Sequence, residues 1–276
     1  MRRRFAQVDV FSETAYLGNP LAVVLDGDGL TGDQMQRFAA WTNLSETTFV
    51  VAASDPAADY AVRIFDSASE LPFAGHPTLG TCHAWLAAGG RPRDGERIVQ
   101  ECGAGLVNVR RTADGLAFRS PEPFRSGPLD EALVRRIADV LRIERETILD
   151  TQWAANGPNW VVALLGSADA VLTLEPGFVD FDLGVVGPYP AGSPEAFEVR
   201  AFFPKDGHTA EDPVTGSLNG ALAQWLVRTG RATLPYVASQ GRSIGRAGRV
   251  HLTADEDGEV WVAGATATRV TGEVEL

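Results

Sequence analysis

Runs of apolar, β-branched and aromatic residues, each closed by Gly, Pro, Asn or Asp, dominate this chain. "RFAQVDVF", "LAVVL", "ETTFVVAA" and "YAVRIF" open the first half, and "NWVVALL", "EAFEVRAFF" and "RVHLTA" follow in the second. Each reads as a strand, because side chains that branch at Cβ or carry rings pack well on a pleated surface. Apolar residues at helical spacing are rarer. They predict helices over residues 31–41, 77–88, 129–141 and 215–228, with a short one near Glu175. Helices and strands do not alternate one for one, so the pattern predicts an α+β fold rather than a doubly wound sheet. The stretch "RSPEPFRSGPLD" is dense in Pro, Ser and Gly and marks the best boundary, giving domains over residues 1–121 and 122–276.

The two halves repeat a series of features. "VRIF" ends at Phe65 and "VRAF" at Phe202, 137 positions apart. Pro77 and Gly80 then match Pro213 and Gly216, at an offset of 136. An apolar helical stretch ending in glycine follows each: "CHAWLAAGG" and "NGALAQWLVRTG". Upstream, "GNPLAVVL" resembles "GPNWVVALL". One such match arises by accident, but the same order of features twice points to a repeat. The expectation is two homologous α+β domains with their loops facing each other.

Composition narrows the partners. The chain has 276 residues, 45% of them hydrophobic, and carries a formal charge of −12. That acidity argues against nucleic acid and anionic membranes, which need basic patches. No apolar stretch has the length of a membrane span. The N-terminus passes from "MRRRF" straight into a strand-like run, with no signal-peptide apolar region, so a cytoplasmic location is expected. The two cysteines, Cys82 and Cys102, are too few for a disulfide framework. The four histidines stand in no ligand spacing, and no P-loop or Gly-x-Gly-x-x-Gly turn after a strand appears, so neither metal nor nucleotide cofactor is expected.

The chemistry concentrates at the repeated loops. Each runs into a helix start rich in Gly, Ser and Thr, around Gly75 and Thr78 in one half and Gly216 and Ser217 in the other. Free N–H groups and the helix dipole bind anions there. Two such ends meeting at a domain interface would clamp a substrate carboxylate. A single loop of this kind is more simply read as capping by Thr78, Thr215 or Ser217. The residue before each proline is His76 in one half and Asp212 in the other, both able to move protons. Glu46, in "NLSETTFV", is a third acid; its residue context fits a solvated turn acid as well as a catalytic one.

"GNPLAVV", "NLSETTFV", "ELPFAGHPTLGT", "EDPVTGS" and "GRAGRVHL" occur in the order seen in the phenazine-biosynthesis PhzF-like isomerases, which the chain resembles over essentially its whole length. The resemblance implies a fold similar to diaminopimelate epimerase. That fold has two pseudo-symmetric domains, each a β-barrel-like sheet around a central helix, with the site between them. It also implies a cofactor-free isomerase, usually a homodimer. The family's catalytic glutamate falls on Glu46, its histidine on His76, its aspartate on Asp212 and its serine on Ser217. The expected function is a proton shift on a small cyclic or amino-acid-like carboxylate. A catalytically silent carboxylate-binding member and a two-base racemase or epimerase remain open. The epimerase relatives place thiols at the matched loop positions, where this chain has His76 and Asp212.

Overall fold

The computed structural model describes residues 1–95 and 97–276. The N-terminal apolar run forms β1 (Arg2–Val10). It is followed by β2 (Asn19–Val24), α1 (Gly32–Thr42), β3 (Glu46–Val51), β4 (Tyr60–Phe65), the short β5 (Glu70–Leu71), α2 (Gly75–Ala87), β6 (Arg97–Cys102), β7 (Gly105–Thr112) and β8 (Gly115–Arg119). A second series then runs β9 (Arg125–Gly127), α3 (Glu131–Leu141), β10 (Asp150–Ala155), β11 (Val161–Leu164), α4 (Ala168–Leu172), β12 (Leu183–Pro188), β13 (Phe197–Lys205), β14 (His208–Glu211), α5 (Gly216–Arg228), β15 (Tyr236–Gln240), β16 (Gly248–Ala254) and β17 (Val260–Gly264). The last strand is β18 (Thr266–Glu275). The fold is α+β, with few helices and many short strands.

The chain divides into two units, Met1–Arg119 with Ala263–Leu276, and Ser120–Val262. The division differs from the expected 122–276 body at its end. β18 pairs antiparallel with β1 from Arg2↔Glu275 to Val10↔Thr266, so the last residues belong with the first unit. Nothing in the polar pattern of "TATRVTGEVE" announces that pairing, because most of β18 is exposed or half-exposed.

In the first unit β1 and β2 pair antiparallel, β2 and β3 parallel, β3 and β4 antiparallel, and β4 and β6 parallel; β6, β7 and β8 then form a meander. In the second unit β10–β11 is antiparallel, β11–β12 parallel, β12–β13 antiparallel, β13–β15 parallel and β15–β16 antiparallel. Equivalent registers recur: Leu21 faces Glu46 as Val161 faces Leu183, and Phe65 faces Glu70 as Phe202 faces Glu211.

The helices show why the pattern was readable. α1 starts at Thr31, whose hydroxyl accepts from Gln34 N–H while the Gln34 side chain returns to the Thr31 backbone. It stops at Asn43 in the left-handed region, which Asn tolerates better than most residues. Its apolar face meets Val24, Phe49 and Phe65 in one core. α2 has no separate polar face turned to solvent over its first eight residues, the signature of a buried helix. Gly75 through Cys82 are all buried, and the helix packs against β1, β2, β3, β6, β8 and β18. α5 is likewise buried from Gly216 through Ala223 and packs on β10 and β16. The short helix lies at residues 168–172, ahead of Glu175, where the Ser167 hydroxyl caps Ala170 N–H.

Candidate active site

β3 begins at Glu46, in parallel register with Leu21 of β2. The threonines that follow hold the strand in place. The Thr47 hydroxyl lies 2.9 Å from that of Thr42 at the end of α1, and the Thr48 hydroxyl 2.8 Å from that of Thr81 on α2. "SETTF" is therefore clipped to the helices before and after it, and the Glu46 side chain is only 17% exposed.

His76 lies inside the first turn of α2, not in the loop before it, with Pro77 as the third helical residue. Proline fits there because N–H groups of a first turn have no partner within the helix. No side chain caps this turn. Thr78 is fully buried; its hydroxyl donates to the Ala74 carbonyl at 2.9 Å and accepts from the Gln100 amide at 3.1 Å. The hydroxyl thus ties the first turn of α2 to Gln100 on β6.

The structure brings Glu46 and His76 together: His76 Nε2 is 3.4 Å from Glu46 Oε2. On the other side of the ring, the Asn19 amide nitrogen is 3.3 Å from His76 Nδ1. His76 is completely enclosed, and that burial pushes its pKa down to about 3, so the imidazole is neutral across the physiological range. Asn19 is itself fixed by its neighbours. The Gly18 N–H donates to buried Asp9 at 3.0 Å, and the Tyr16 N–H to the same carboxylate at 2.6 Å. A Cβ at Gly18 would stand 2.3 Å from the Val10 carbonyl oxygen and 2.6 Å from Asp9 Oδ1. Gly18→Ala is expected to lower stability by ~1–3 kcal/mol through overpacking. An unchanged urea midpoint would show that this approach is not tight.

Asp212, Gly216 and Ser217 form a second group, in the second unit. Asp212 is buried, precedes α5 by four residues, and accepts the Thr215 hydroxyl at 2.6 Å. Gln240 organises the loop. Its amide nitrogen donates to the Asp212 carbonyl at 3.1 Å and the Thr215 hydroxyl at 2.9 Å, and its oxygen accepts from Thr215 N–H and the Asn219 amide. Thr215 thus orients Asp212 rather than capping the helix, and no side chain caps the first turn of α5 either. The Ser217 carbonyl accepts from Asn156 at 3.0 Å.

Asn19 and Gln240 are absent from the residues picked out by sequence. Asn19 stands in the quoted "GNPLAVV", the one available signal; Gln240 has none, because its partners lie 21–28 positions away. Cys82 is buried in α2, where burial pushes its thiol up to about 12, and Cys102 is partly exposed on β6. Neither stands at a matched loop position. Among the described residues no group of three or more His, Cys, Asp or Glu is arranged to hold a metal ion.

The sequence matches the phenazine biosynthesis-like (PhzC-PhzF) protein family over residues 8–273. The chain belongs to this family. Similar phenazine biosynthesis-like relatives include the trans-2,3-dihydro-3-hydroxyanthranilate isomerase of Pseudomonas aeruginosa, 34% identical over 93% of this chain and 92% of the relative. The antisense-enhancing sequence 1 protein of Schizosaccharomyces pombe is 34% identical over 98% and 97%. The crystal structure of a PhzF-family phenazine biosynthesis protein from Bacillus anthracis shares the fold, with a TM-score of 0.81 at 23% identity over the whole of both chains. Several relatives, that of Pseudomonas aeruginosa among them, are named isomerases, and the chain is an isomerase of this family. Among the described residues no helix is long and apolar enough to cross a membrane.

Proposed function

We propose that the chain shifts a proton between two carbons of a small cyclic carboxylate, with the Glu46 carboxylate taking the proton and giving it back. The observation that carries this reading is the shielded Glu46 facing His76 at 3.4 Å. Burial keeps that imidazole neutral, so it has little capacity to deliver a proton as imidazolium. Glu46 is then the group of the pair suited to both removal and delivery.

The step balances without an outside reagent. Glu46 takes a proton from carbon, and the C–H electron pair enters the adjoining π-system. The double bonds shift, and a second carbon takes the proton from Glu46. The uncapped start of α2, at Gly75 and His76, is suited to hold the substrate carboxylate. Asp212, with Gly216 and Ser217 at the uncapped start of α5, gives the second unit an acid and a helix start suited to an anion of its own. The recurring strand registers support reading the two halves as a repeat, but they match the helix starts Gly75 and Gly216, so His76 is paired with Ser217 and not, as the proline spacing suggests, with Asp212. The substrate class follows from the Pseudomonas aeruginosa relative, whose name specifies a cyclic carboxylate bearing amino and hydroxyl groups. A two-thiol racemase is disfavoured by the enclosed, weakly acidic Cys82.

The test is incubation in D2O with trans-2,3-dihydro-3-hydroxyanthranilate and a panel of related cyclic carboxylates. The expected result is deuterium at a carbon distinct from the one that loses its proton. Binding without exchange across the panel would make the chain a carboxylate binder. Exchange confined to a carbon that inverts would make it an epimerase.

A further inference from the structure

We propose that Asn19 is a positioning residue that fixes His76 as its Nε2–H tautomer, so that the imidazole presents a donor, not a lone pair, to Glu46. A neutral imidazole carries one N–H, and its other nitrogen accepts. The Asn19 amide nitrogen only donates. The ring nitrogen it meets at 3.3 Å, His76 Nδ1, therefore accepts. The proton is left on Nε2, the nitrogen 3.4 Å from Glu46 Oε2.

The surroundings hold this arrangement. Asn19 and His76 are both buried, at 0% and 2% exposure. Asn19 begins β2, opposite Val10, and the residue before it is fastened to Asp9. With the proton on Nδ1 instead, a nitrogen lone pair would face the carboxylate oxygen, and two buried acceptors would repel. The selected tautomer turns an N–H, not a lone pair, toward the carboxylate that is to take the substrate proton. At 3.4 Å the two atoms are within ion-pair distance but form no hydrogen bond with each other, and catalytic contacts often close only once substrate is bound.

The role in turnover rests on the reading of Glu46 as proton carrier; the tautomer itself does not. Protein labelled with 15N at histidine gives the tautomer directly from long-range proton–nitrogen correlations. Wild type is expected to show His76 protonated on Nε2 alone at neutral pH. Asn19→Asp replaces the donor with an acceptor of the same size and is expected to move the proton to Nδ1. Turnover should fall ~10-fold or more, with kcat changed more than KM. Asn19→Leu removes the donor without adding an acceptor and should show both tautomers. Wild type protonated on Nδ1 would overturn the proposal without any variant. A switched tautomer with unchanged turnover would overturn the positioning role. If wild type exchanges no proton with any substrate yet shows the expected tautomer and its switch, the functional reading fails and the assignment of Asn19 stands.

Discussion

Glu46→Gln is expected to slow deuterium exchange into substrate by ~10²-fold or more while leaving ligand binding nearly intact. Glutamine keeps the shape of the side chain and its ability to accept from His76 Nε2, but it cannot take up and return a proton. The strand should not move, because Thr47 and Thr48 tether it independently through Thr42 and Thr81. Stability should therefore change little. The competing view is that Glu46 merely satisfies its local surroundings. Isotope exchange followed by mass spectrometry separates the two, and a variant exchanging at the wild-type rate would end the assignment of Glu46 as proton carrier.

Glu211→Gln is expected to unfold the protein far more readily, at a cost of ~3–5 kcal/mol. Glu211 is the first acid of "EDPVTGS", but its carboxylate faces away from proton chemistry: it is bound bidentately by Arg200, at 3.0 and 2.7 Å. The two side chains are only 7% and 9% exposed. Arg200 also reaches the Val171 and Leu174 carbonyls and lies over the Phe202 ring. A neutral amide would leave its guanidinium buried without a counter-charge. The first unit repeats the arrangement with Arg63, Glu70 and Phe65, but there the pair is 34% and 44% exposed. Water screens it, so Glu70→Gln should lose under ~1 kcal/mol. Equal losses in chemical denaturation would contradict this account of burial.

The strands and helices were readable because most of them bury apolar side chains, and burial writes a period into the sequence. β18 escaped because its pairing with β1 is made by backbone groups of a largely polar segment. The start of α2 was misplaced because a proline usually marks the first helical residue, whereas any first-turn position tolerates it. Glu46 stood out as a candidate only through the resemblance, since "SETTF" alone fits a turn. Its contact with His76 and the bond from Asn19 cross 30 and 57 positions, a distance over which local pattern carries no information. Thr78 and Thr215 were visible as residue types, but their hydroxyls are directed by Gln100 and Gln240, whose part only three-dimensional neighbours reveal.

The pairing of β1 with β18 sets the order in which the molecule can be completed during synthesis. Arg2 finds its strand partner only at Glu275, after the whole of Ser120–Val262 has been made. The second unit is continuous and able to close as soon as it emerges. The first must wait with one side of β1 open, an exposed edge of the kind that recruits other strands. Bringing such distant segments together also slows folding, because loop closure precedes the contacts that reward it. A nascent chain released near residue 119 would carry that open edge permanently, which makes premature termination there a route to aggregation rather than to a half-sized folded product.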